Sequence, residues 1–270
     1  RNLITSYLMN QPASLNSYTL NNGVQLVAFH PLILGTFQNR MEKMNFIVDL
    51  VVTRHLTTFT HSVMVSYLAE AIGKHILAAR PELLRIPSSY LEGNVYASPA
   101  EVLDYIVPAA LFHDIGKNGM IPIINTQHRK LNDYEFNIIQ THPQKGSDYL
   151  SSDPDFLIYQ PVALGHHRSY DGTRGYPLSF DNTASPYRDA IDLIHICDCL
   201  DAATDYLSRN YHRAKPFDVV LNELKAGRGT EYNPDMVDVI LSDRELYNDL
   251  KMLTEQNREN IYYDIYLTFV

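Results

Sequence analysis

From Met41 onward, apolar positions recur at helical spacing in nearly every segment. Met41, Met44, Ile47, Val48, Val51 and Val52 form one stripe, and Val63, Met64, Tyr67, Leu68, Ala71 and Ile72 another. Ser98-Pro99-Ala100-Glu101 has the form of a capping box with proline at the first helical position, and Asn132 followed by Glu135 is a second helix start of that kind. Asn233-Pro234 opens another helix, and Gly227 ends the one that begins at Phe217. Two long stretches, Pro81 to Pro99 and Arg168 to Pro186, read as irregular, and no internal repeat is found. The first 40 residues differ: Tyr18-Thr19-Leu20 and Val24–Phe29 flank Asn22-Gly23, a hairpin signal. The pattern predicts an all-α bundle over 41–270 with a short N-terminal attachment, 1–40, that includes a β-hairpin.

Composition narrows this further. The 270 residues suit one large domain or one domain with a small addition, and 45% hydrophobic residues allow a sizeable core. No apolar run is long enough to span a bilayer; the best, Asn45–Val52, is short and broken by Asp49. With 31 acidic against 22 basic side chains the net charge is −9, which disfavours binding to a nucleic-acid polymer but not to a small anion at a metal-bearing cleft. Cys197 and Cys199, two apart on a helix, point away from each other, so a reducing cytoplasm is expected. The start at Arg1, without a secretory segment, reads as a piece of something longer.

The chemistry lies with the eleven histidines. His113-Asp114 closes the apolar run Val107–Phe112, where an imidazole can bind one metal and the two carboxylate oxygens can bridge a pair. Alone, the pair reads equally well as a helix cap. His142 follows in Gln140-Thr141-His142-Pro143, then the adjacent His166 and His167; taken with His113-Asp114 they are hard to read as isolated polar residues. Asp198 sits in an otherwise apolar helical run, where a carboxylate is costly unless paired or metal-bound. Asp201 and Asp205, on its face, read as a solvated acidic edge. His61 heads an amphipathic helix and by itself is unremarkable.

These residues resemble a known family. His113-Asp114-Ile115-Gly116-Lys117 is similar to the signature of the HD phosphohydrolase superfamily, and His166-His167 through Gly175-Tyr176-Pro177 resembles the segment that names its HD-GYP subfamily. Leu131–Gly146 is similar to the family's helix ending in His-Pro, Asp198–Arg213 to its Asp-x-x-Asp-Ala-x-Thr run, and Gly229–Pro234 to its closing Gly-Thr-x-Phe-Asp-Pro. The resemblance covers about Met41 to Leu241. It implies an HD-type helical bundle and a bacterial, cytoplasmic phosphodiesterase for cyclic di-GMP or the mixed cyclic GMP-AMP. It implies two divalent metals, iron or manganese by preference: one held by His61, His113, Asp114 and Asp198, the other by Asp114, His142, His166 and His167. A hydroxide between them would attack phosphorus in line with the leaving oxygen. Asp114 and Lys117 are then catalytic candidates. Lys117, Arg168, Tyr176, Arg209 and Arg213 are candidates for substrate contact, with loop packing the alternative for Tyr176. An upstream sensory domain and a homodimer are in keeping with the family.

The departures bear on substrate more than on hydrolysis. Thr57 stands where some members have a Glu that binds a third metal, so two metals are expected. Arg168 replaces the Glu after the histidine pair, as a partner for a substrate phosphate or as plain surface variation. Thr173-Arg174 adds one residue to the Gly-Tyr-Pro loop, and about two are inserted after Asp198. The altered rim keeps open a receptor that binds cyclic dinucleotide without cutting it. Another nucleotide phosphohydrolase on the HD fold is the remaining alternative.

Overall fold

The fold, taken from a computed structural model, is described for residues 35, 37–88, 95–120, 130–208 and 213–267. The hairpin expected around Asn22-Gly23 and the substrate candidate Arg209 lie outside these residues.

Helix α1 (Arg40–Arg54) starts where the Asn39 side chain accepts from the Glu42 amide at 3.0 Å, and it gives way at His55 to the central helix α2 (Leu56–Ala79). Helix α2 is buried on most sides, so it is not the amphipathic helix expected, and His61 sits in its second turn rather than at its head. Helix α3 (Pro99–Phe112) packs along α2. Its capping box forms as read: the Ser98 amide donates to Glu101 at 2.7 Å and the Glu101 amide to the Ser98 hydroxyl at 3.4 Å. After Phe112 the chain turns through His113-Asp114 into a 3₁₀ segment, Ile115–Gly119.

The stretch expected as one helix ending in His-Pro is two. Helix α4 (Asp133–Ile139) carries the Asn132–Glu135 capping box, and α5 (His142–Ser151) opens at His142 with Pro143 behind it. Proline in the first turn costs no hydrogen bond, because that amide has no partner in the helix. Helix α6 (Gln160–Gly165) is short and delivers His166 and His167 at its C-terminal end. Helix α7 (Arg188–Thr204) packs against α2. Helices α8 (Phe217–Ala226, ended by Gly227), α9 (Pro234–Ser242) and α10 (Arg244–Lys251) close the bundle. A π-helical turn at Met252–Gln256 leads into α11 (Arg258–Leu267).

The core is one contiguous cluster that includes Leu68, Ile72, Ile106, Ile191, Ile194, Leu200 and Met236. Each such side chain contributes roughly 1.5–3 kcal/mol on burial. That core fixes α2, α3 and α7 against one another, and so fixes the three helices that carry His61, His113 and Asp198. Among the described residues β-structure is limited to isolated bridges, of which Arg168 with Gly175 is one. No described helix is long and apolar enough to cross a membrane.

Candidate metal centre

Five elements converge on one buried point. His61 comes from α2, His113 and Asp114 from the end of α3, His142 from the start of α5, His166 and His167 from the end of α6, and Asp198 from α7. Their ligand atoms form two groups, Asp114 with His142, His166 and His167, and His61 with His113 and Asp198. Asp114 divides its oxygens between them. Oδ1 lies 3.1 Å from His142 Nε2 and 3.8 Å from His166 Nε2, while Oδ2 lies 3.5 Å from His113 Nε2 and 3.7 Å from His61 Nε2. Asp198 Oδ1 approaches His61 Nε2 at 3.0 Å, and its Oδ2 approaches His167 Nδ1 at 3.6 Å.

Whether these residues suit a metal is tested by how the imidazoles are held. His113 Nδ1 meets the Ala110 carbonyl at 2.6 Å, His142 Nδ1 the Ile139 carbonyl at 2.7 Å, His166 Nδ1 the Ala163 carbonyl at 2.9 Å, and His61 Nδ1 the Asp201 carboxylate at 2.6 Å. The three carbonyls take an Nδ1–H, so His113, His142 and His166 turn an Nε2 lone pair inward, while Asp201 takes the His61 Nδ1–H and leaves its Nε2 facing Asp198 and Asp114. His142 Nε2 and His166 Nε2 stand 3.1 Å apart. Two lone pairs at that distance repel. Two nitrogens on one cation at about 2.1 Å would stand about 3.0–3.4 Å apart. His113 Nε2 is buried with no hydrogen-bond partner among the described residues. The donor set fits a pair of transition-metal ions.

The electrostatics agree. Burial, and then the neighbouring histidines, hold the His166 imidazole well below its usual range; burial does the same for His167. Burial lowers His113 as well. Burial opposes ionisation of Asp114, yet Lys117 and His113 beside it hold its carboxyl well below the ordinary range. His61 is the exception: burial lowers it, but its bonds to Asp198 and Asp201 outweigh burial and raise it to about 9.

Gly116 lets the two groups approach. A Cβ there would stand 1.9 Å from the His142 carbonyl oxygen, so only glycine allows the turn after Asp114 to lie against α5. Gly175, at φ +85°, does the same for the Gly-Tyr-Pro loop, whose backbone runs against the His167 carbonyl. Tyr176 then lies over His167, ring centres 4.5 Å apart. A cavity of about 690 Å³ opens from the histidines, with Lys117, Tyr176, Lys130 and Phe136 in its walls and Thr57 among its lining residues.

The substrate candidates separate. Lys117 lines the cavity with its ammonium 2.5 Å from Asp114 Oδ2, and Tyr176 lines it too. Arg168, expected as a phosphate partner or as surface variation, neither lines the cavity nor lies on the surface. It is buried, and its guanidinium donates to the carbonyl oxygens of Arg174 at 2.7 Å, Gly175 at 3.4 Å and Gly172. The loop turns these carbonyls inward and the Arg fills the space between them. Arg213 is exposed and does not line the cavity.

Asp201 and Asp205 are not a solvated edge either. Both are fully buried, Asp201 between His61 and Arg258. The position of Asp201 one turn after Asp198 on an apolar helix was the available signal. Arg258, 57 residues away from Asp201, carried none. His195 was also missed: its Nδ1 meets the His166 carbonyl at 2.7 Å and its Nε2 lies 3.3 Å from Glu231, tying the Gly-Thr-Glu segment to the histidine pair.

The chain is similar to known proteins. A family model described as the HD domain matches residues 58–210. A Vibrio cholerae cyclic di-GMP phosphodiesterase is 26% identical over 210 residues, 74% of this chain and 41% of that protein. The Xanthomonas campestris cyclic di-GMP phosphodiesterase response regulator RpfG is 33% identical over 146 residues, 53% of this chain and 37% of that protein. A Vibrio cholerae 3'3'-cGAMP-specific phosphodiesterase is 25% identical over 203 residues, 74% of this chain and 37% of that protein. The matches thus span about two fifths of these relatives' length. With the match running from the foot of α2 past the end of α7, and with Gly175-Tyr176-Pro177 closing the site, the chain belongs to the HD domain family and, within it, to the HD-GYP type.

Proposed function

We propose that this chain is a metal-dependent phosphodiesterase that opens a cyclic dinucleotide, cyclic di-GMP or the mixed cyclic GMP-AMP, to the linear dinucleotide. The observation that carries the reading is the split of Asp114, one oxygen toward each of two sets of imidazoles whose Nε2 atoms face inward. His61, His113, Asp114 and Asp198 would hold one divalent cation, and Asp114, His142, His166 and His167 the other. Five imidazoles with two carboxylates favour iron or manganese over magnesium or calcium. Thr57, exposed at the rim, offers no carboxylate for a third. When bound, such ions supply Lewis acidity and bring the pKa of water toward neutrality.

The chain's own residues do the rest. In hydrolysis a water oxygen bonds to phosphorus as the P–O3′ bond breaks, and the released oxygen takes a proton. Lys117, on the cavity wall, can exchange Asp114 for a phosphate oxygen and neutralise charge that grows in the transition state. Tyr176 offers an aromatic face toward the cavity for a base. The loop that carries it is held by Arg168, so that wall is preformed. The roles of Arg209 and Arg213 at the second phosphate rest on the resemblance alone. The relatives are bacterial, and two free thiols suit a reducing cytoplasm.

The test is anaerobic loading with Fe(II) or Mn(II), then incubation with cyclic di-GMP and with mixed cyclic GMP-AMP, products being resolved by chromatography. Linear dinucleotide from either, lost in His113→Ala, is the expected result. Tight binding of intact substrate by the metal-loaded protein would overturn it in favour of a receptor.

A further inference from the structure

Behind the histidine wall, the buried Asp201 carboxylate takes a different group on each oxygen. Oδ2 accepts from His61 Nδ1 at 2.6 Å and Oδ1 from Arg258 Nη1 at 2.7 Å. Arg258 is itself fully buried. Its Nε donates to the Thr254 carbonyl at 3.1 Å, its Nη2 to the Thr204 hydroxyl at 2.9 Å, and Asp205 lies 3.7 Å from Nη1. The guanidinium is therefore fixed from α7 on one side and from the π-helical turn on the other. Arg258 opens α11, well beyond the residues that the family model matches.

His113, His142 and His166 hang from carbonyls three residues earlier in their own chain segments. His61 hangs instead from a side chain, and that side chain is held by another element. A buried guanidinium costs several kcal/mol unless it is well paired. Here its pairing fixes the plane of Asp201, and Asp201 as a carboxylate can only accept. His61 must then donate from Nδ1 and turn Nε2 toward Asp198 and Asp114. We infer that Arg258 is a positioning residue for the metal ligand His61, acting through Asp201, so that the C-terminal helix is part of the metal centre. This rests on the two-metal reading above.

The test is Co(II) titration of the full chain, read by visible absorption, with unfolding of the metal-free protein followed in parallel. Arg258→Met should weaken binding at the His61 site about 10–100-fold and change its absorption bands, with the other site unaffected. Arg258→Lys should recover part of the loss, because an ammonium restores the charge but not the fork. If Arg258→Met does not fold, Asp201→Asn answers the same question. An amide either accepts from His61 and turns its NH₂ on Arg258, or accepts from Arg258 and forces the His61 proton onto Nε2. Folded variants with wild-type affinity and spectrum overturn the inference alone. Failure of the wild type to take up metal overturns the two-metal reading and the inference with it.

Discussion

Arg168 follows the adjacent histidines, and its contacts make it a loop clamp. Arg168→Glu would set a carboxylate against the carbonyls of Gly172, Arg174 and Gly175. It should cost about 4 kcal/mol or more, since bonds from a charged donor are worth about 1.5–3 kcal/mol each and three are lost. Steady-state kinetics should show KM rising more than kcat falls, because Tyr176 moves while the metal ligands stay. Equal effects on both would argue against the clamp. Asp192 gives a pH signature. Burial, against a bond from Asn233, raises its carboxyl to about 7. The folded chain therefore keeps a proton that the unfolded chain gives up near pH 4, and the stability Asp192 contributes falls as pH rises from about 4 to about 7. Asp192→Asn removes that ionisation, so its Tm relative to wild type should climb between pH 5 and pH 8. A difference that does not vary with pH would count against this account.

Each ligand-bearing helix delivers its ligand at a boundary or on a buried face, and the boundaries are set by local chemistry. Helix α3 begins at a capping box and ends at His113, α5 begins at His142 with Pro143, and α6 ends at His166. The start of α3 and its end at His113 were readable because caps act within a few residues, whereas the start of α5 and the end of α6 were not read. The division of the stretch around Gln140-Thr141 into two helices was not readable, since nothing local breaks it before Pro143. Gly116 tests how tightly the elements are registered. Gly116→Ala puts a methyl group 1.9 Å from the His142 oxygen and 2.5 Å from the Gly146 amide nitrogen, both backbone atoms that cannot turn aside. A loss of about 3 kcal/mol or more is expected, at the upper end of overpacking effects. The Asp114, His142, His166 and His167 site should lose metal first, as seen by stoichiometry. Full occupancy of both sites would mean that α5 moves without cost.

For the whole molecule, metal binding should stabilise the fold, because the candidate ligands come from α2, α3, α5, α6 and α7. Metal at 100 times its Kd should add about 2.7 kcal/mol, which in a chain of this size is about 5–10 °C in Tm. The gain should fade below about pH 6 as protons compete for the imidazoles. A Tm unmoved by Mn(II) at pH 7.5 would contradict a shared centre. The sequence alone determined the helical class and the starts of α3, α4, α8 and α9, because apolar period and caps are local patterns, and the resemblance singled out the seven His and Asp residues that the fold brings together. Only the tertiary structure decided that Asp201 and Asp205 are buried, that Arg168 is buried against its own loop, and that Arg258 stands behind His61. The first and the last depend on which segments distant in sequence the core brings together, and a carboxylate on a helix carries no mark of the cation, tens of residues away, that will meet it.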